Sequence, residues 1–108
     1  LGIKILLHYT ESYESSGHLY MTRIPWITIR ERQEIIEKMA EKGIATNVHY
    51  KPLPMMTAYR NLGFDMKDYP NTYKMYKNEI TLPLHTNLTD DEVEYIIENF
   101  CHILAGYK

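Results

Sequence analysis

Two Thr-x-x-Glu signatures, Thr28 with Glu31 and Thr89 with Glu92, constrain this chain more than any other feature. In each, the threonine hydroxyl can accept from the N–H three residues on, while the glutamate reaches back to the threonine N–H. Each therefore marks a helix start. The first opens a helix predicted over residues 30–42, with Ile35, Ile36, Met39 and Ala40 on its buried side and Gly43 as a left-handed stop. The second sets Asp90 and Asp91 against the positive end of the helix dipole. Val93, Ile96, Ile97, Phe100 and Leu104 then form an apolar stripe through Ala105.

The rest of the chain reads as short strands and turns. Residues 3–7 and 18–24 have strand character, the second run closed by Pro25, with a polar turn over 11–17 between them. Residues 44–50 read as a further strand running out into a loop that Pro52 and Pro54 stiffen. Short helices are predicted over 55–62, ended by Gly63, and over 71–78, with Tyr69, Tyr73 and Tyr76 lining one face. Residues 80–84 suit an edge strand, because Pro83 has no N–H to donate. Strands alternating with helices, without a long parallel series, indicate an α+β fold. The expected form is a small, mainly antiparallel sheet covered on one face by the two long helices.

At 108 residues the chain suits one domain with a core of modest size. Its formal charge of −2 gives no electrostatic reason to expect nucleic acid or an anionic membrane as partner. No apolar run approaches the roughly 20 residues that span a bilayer. The lone Cys101 cannot form an internal disulfide, which points to a reducing, cytoplasmic setting with Cys101 as a small core hydrophobe. The chain opens on Leu1 and not Met, an indication that something upstream has been removed. Ten tyrosines against two phenylalanines suit interfaces and pocket walls, above all in the cluster at 59–76. Taken singly, each reads first as a half-buried phenol of a small domain.

Five histidines raise the question of metal, but none pairs with another at i,i+4 and a single cysteine offers no thiolate cluster, so no metal site is expected. His8 and His18 suit ordinary strand positions, and His102 a partly exposed helix position. No glycine-rich phosphate loop or nucleophile elbow occurs. Ser12, Ser15 and Ser16 sit in a polar turn, and the acidic residues lie on helix faces and caps. One cluster remains. Asn47-Val48-His49-Tyr50-Lys51-Pro52-Leu53 presents an imidazole, a phenol and an ammonium together at the end of a predicted strand. His49 and Tyr50 can exchange hydrogen bonds with a ligand, and Lys51 can pair with a phosphate or carboxylate. The plain alternative is a strand end whose polar groups are simply solvated.

The order of segments extends this reading. His18-Leu-Tyr-Met-Thr-Arg, then Glu41-Lys-Gly-Ile-Ala-Thr, then Asn47-Val-His-Tyr-Lys-Pro-Leu-Pro resembles the C-terminal domain of the DegT/DnrJ/EryC1/StrS sugar aminotransferases. Tyr69-Pro-Asn-Thr, Glu79-Ile-Thr-Leu-Pro-Leu-His-Thr and Leu88-Thr-Asp-Asp-Glu-Val continue the resemblance over roughly residues 16–100. It implies a fold-type I enzyme that uses pyridoxal 5′-phosphate, is a homodimer and acts on nucleotide-linked keto sugars, commonly with glutamate as amino donor. It also implies a larger N-terminal domain, absent here, that carries the Schiff-base lysine and most cofactor contacts. None of the eight lysines lies in a segment resembling that region.

On this resemblance residues 1–108 are one C-terminal domain, inactive alone, with no catalytic, cofactor-binding or metal-binding residue of its own. His49, Tyr50 and Lys51 are its substrate-side residues, and no cofactor is expected on the fragment. Many members have a second histidine where this chain has Pro54. The aromatics at 59–76 resemble cleft-wall residues, while residues 82–86 resemble a structural connection in which His85 is a hydrogen-bonded loop residue. Two readings from other classes remain: a self-contained ferredoxin-like small-ligand binding or regulatory module, and an assembly domain whose tyrosines mediate dimerisation.

Overall fold

The computed structural model describes residues 1–108. Strand β1 (Lys4–Ile5) leads through a loop to β2 (Tyr20–Arg23) and helix α1 (Ile29–Glu41). Helices α2 (Thr57–Asn61) and α3 (Pro70–Tyr76) precede β3 (Glu79–Leu82), and α4 (Asp90–Ala105) closes the chain. The strands form an antiparallel sheet in the order β1-β2-β3, with Arg23 opposite Glu79 and Thr22 opposite Ile80. The α+β class and the antiparallel sheet are as expected.

Both capping boxes form. Thr28 and Thr89 accept from the N–H of Glu31 and Glu92, and each glutamate carboxylate accepts from its threonine N–H. Helix α1 ends where a residue with positive φ is required: Gly43, at φ 74°, lets its own N–H reach Ala40 O at 2.9 Å and the Ile44 N–H reach Met39 O at 3.0 Å. Met39 and Ile44 are both buried, which supplies the apolar contact that accompanies this cap. Gly63 repeats the geometry after α2, bringing Phe64 and Tyr59 into edge contact.

The core lies on one side of the sheet. Ile80 and Leu82 meet Ile35 and Met39 of α1 and Ile96, Phe100 and Leu104 of α4, with Ile24, Ile27 and Ile44 completing it. Burying each such side chain stabilises the fold by about 1.5–3 kcal/mol relative to leaving it in water. Thr22 shares this face, and its hydroxyl donates to Ile80 O at 2.6 Å.

Several details differ from expectation. Residues 44–50 do not form a strand; only Asn47 bridges, to Thr81. The next ladder position is lost because Asn47 Oδ1 accepts from Val48 N–H and the His49 N–H turns to a side chain. Ala40 is exposed while Arg32 takes a buried place on α1. On α4 the stripe narrows to Ile96, Phe100 and Leu104, leaving Val93 and Ile97 exposed. His8 and His18 lie outside the strands, and Cys101 is half-buried rather than in the core. His85 sits in its loop with its carbonyl, not its ring, accepting from Leu88 N–H.

The whole is extended. Its radius of gyration is 15.5 Å, where a compact domain of about 100 residues has roughly 13 Å. No helix is long and apolar enough to cross a membrane.

Candidate functional site

Side chains alternate across β3, so Glu79 and Thr81 face away from the helices, on the same side as Met21 and Arg23 of β2. Helix α3 and the 47–50 segment rise over this second face and leave a cavity of about 360 Å³. Met21, Arg23 and Glu79 line it from the sheet, Tyr76 and Met75 from α3, and His49 and Tyr50 from the loop. The volume falls in the range of small-molecule sites.

Each wall has a physical anchor. Arg23 Nη2 donates to Lys74 O at 3.1 Å, tying α3 to β2. Arg32 reaches from α1 to the end of α3, where Nη1 donates to Tyr76 O at 2.6 Å and the guanidinium lies 4.5 Å from the Tyr76 ring centre. The loop is held by a buried polar chain. His49 N–H donates to Glu79 Oε2 at 2.9 Å, Thr81 Oγ1 donates to Glu79 Oε1 at 2.5 Å, and His49 Nδ1 lies 2.9 Å from Thr81 Oγ1. Glu79 is only 2% exposed, and this burial pushes its carboxyl pKa above the ordinary value. The hydrogen bonds from Thr81 and His49, with the electrostatic pull of the His49 ring and of Arg32, offset part of that shift.

His49 and Tyr50 are brought together at the cavity, their rings edge to face at 4.6 Å across a cis peptide. Tyr50 is 68% exposed and free to meet a ligand. Lys51 points elsewhere, into a shallow groove shared with Arg60 and Asp65. The tyrosine cluster also divides: Tyr76 lines the main cavity, while Tyr59 and Tyr69 line an apolar groove beside Pro54. Tyr73 and Tyr76 share one face of α3 as their spacing predicts. No group of histidine, cysteine and carboxylate side chains is arranged to hold a metal ion.

Sequence reasoning missed Glu79, Thr81 and Arg23. The available signal was the period-2 alternation of Glu79-Ile80-Thr81-Leu82, which sets two polar residues opposite two apolar ones.

Residues 2–101 match the DegT/DnrJ/EryC1/StrS aminotransferase family. The fold superposes on a Streptococcus pneumoniae protein described as a sugar aminotransferase, with a TM-score of 0.94 and 56% identity, over 97% of this chain and 26% of that one. That protein has also been solved in its PLP and PMP forms. The UDP-4-amino-4,6-dideoxy-N-acetyl-beta-L-altrosamine transaminase of Helicobacter pylori is 29% identical over 102 residues, covering 94% of this chain and 27% of the relative. An uncharacterised protein of Methanocaldococcus jannaschii is 36% identical over 78 residues, which is 70% of this chain and 20% of the relative. The chain thus spans between a fifth and about a quarter of the length of these relatives.

Proposed function

The chain belongs to the DegT/DnrJ/EryC1/StrS aminotransferase family, and on that premise we propose that it is the C-terminal domain of a sugar aminotransferase. The complete enzyme transfers an amino group from glutamate to a nucleotide-linked keto sugar, works as a cytoplasmic homodimer and uses pyridoxal phosphate. When bound, that cofactor supplies an electron sink for the transfer.

The residues of this chain do not fit the cofactor itself. Lys4 is the one lysine lining the cavity, and it stands on an exposed edge strand without the desolvated surroundings that activate a Schiff-base amine. No glycine-rich loop is present to cradle a phosphate. The cofactor therefore belongs to the N-terminal domain, and this chain forms the opposite wall of the cleft. His49 and Tyr50 hydrogen-bond the sugar; Lys51, in its groove with Arg60, offers positive charge to the nucleotide phosphates.

The observation that carries this reading is the cavity on the open sheet face, where His49 and Tyr50 converge over a buried polar floor. The extended shape and the exposed Leu6, Leu7, Leu62 and Phe64 support it, since a partner domain would cover such surface. A self-contained ferredoxin-like module would close that surface by itself.

The test is His49→Ala in the complete enzyme. Loss of one substrate hydrogen bond should raise KM for the sugar about tenfold, with cofactor affinity unchanged. Unaltered kinetics would remove His49 from the site.

A further inference from the structure

The buried chain beneath the cavity has a direction. A threonine hydroxyl carries one proton, and that of Thr81 is given to Glu79 Oε1. Toward His49 Nδ1, 2.9 Å away, Thr81 Oγ1 can then act only as acceptor. The imidazole must therefore carry its proton on Nδ1. Glu79 accepts at both oxygens, from Thr81 and from the His49 N–H, as an ionised carboxylate does. The same carboxylate thus fixes the backbone of His49 directly and its ring through Thr81. At the far side of the ring, Nε2 makes no hydrogen bond within the chain and is not among its buried unpartnered atoms. In the neutral imidazole it is an accessible lone pair.

We propose that Thr81 and Glu79 are positioning residues that lock His49 in the Nδ1–H tautomer, so that the accessible Nε2 serves a ligand as a hydrogen-bond acceptor. The role assigned to His49 as a sugar contact rests on the reading above, whereas the tautomer rests on geometry alone. An acceptor at this point selects a ligand group that donates, such as a sugar hydroxyl or an amide N–H. It does not suit a phosphate oxygen, which needs a donor. Phosphate recognition then falls to cationic side chains such as Lys51 and Arg60, and His49 discriminates on the hydroxyl pattern of the sugar. A site built to bond a substrate hydroxyl rejects an analogue lacking it far more strongly than an apolar site can.

The test is nitrogen NMR of the complete protein labelled with 15N-histidine, His49 being identified by the signals lost in His49→Gln. The expected result is a non-protonated Nε2 and a protonated Nδ1 at neutral pH. Thr81→Val removes the hydroxyl at constant shape and should shift His49 toward Nε2–H, while Thr81→Ser should retain the wild-type spectrum. In the same preparations, Thr81→Val should raise KM for the sugar roughly tenfold with kcat little changed, and Thr81→Ser should restore it. An Nε2–H tautomer in the wild type overturns the proposal, as does a Thr81→Val spectrum identical to wild type. A spectrum as expected, with sugar KM unmoved by His49→Gln, supports the tautomer lock and overturns instead the assignment of His49 to the sugar.

Discussion

On one face of β3, Ile80 and Leu82 are buried against α1 and α4; on the other, one residue away, Glu79 and Thr81 are buried, Glu79 lining the cavity and Thr81 a neighbouring groove that His49 also borders. The first face is held by apolar area, which is non-directional and tolerates exchange of shape within limits. The second is held by hydrogen bonds, each with a donor and an acceptor, and its geometry is specific to fractions of an ångström. A four-residue strand thus carries the core on its even positions and the candidate site on its odd ones. The rigidity of the dry face is what lets the polar face hold His49 in one orientation.

Substitutions on β3 should separate the two. Ile80→Ala opens a cavity in the core and should cost about 2–5 kcal/mol by denaturant unfolding. Glu79→Gln keeps the shape but leaves an amide where the Thr81 hydroxyl or the His49 N–H expects an acceptor, a loss of about 1–3 kcal/mol near pH 5. Its pH dependence sharpens the contrast. The folded-state pKa of Glu79 is raised, so the native protein binds more protons than the unfolded chain in the window above the ordinary value of 4.5. Its contribution is fully present below that value and lost as pH rises through the folded pKa. The stability difference between wild type and Glu79→Gln should therefore shrink as pH rises from about 4.5.

Thr89→Ala, remote from both faces, should cost only about 1 kcal/mol in thermal unfolding. The cap behaves oppositely with pH. Hydrogen bonds to Thr89 hold the Glu92 carboxyl below its ordinary value, so its contribution is present above 4.5 and lost as pH falls through the lowered pKa.

This division explains which parts the amino-acid sequence disclosed. Helices α1 and α4 were readable because their determinants are local: Thr28, Glu31, Gly43, Thr89 and Glu92 act within one turn. The strand expected over 44–50 failed because its pairing depended on a residue far along the chain. His49 N–H found Glu79, thirty positions away, in place of a ladder carbonyl. Arg32 was hidden for the same reason, since its partner Tyr76 lies 44 residues on. His49 and Tyr50 stood out as polar groups at the end of an apolar segment. The residues that orient His49 looked like ordinary strand.

In the proposed function the cavity is half of a cleft completed by another domain. Amination of a nucleotide-linked keto sugar by glutamate, followed side by side with the 108-residue chain and with the complete polypeptide, tests this most directly. Turnover by the complete polypeptide alone is the predicted result. Turnover by the isolated chain would contradict it.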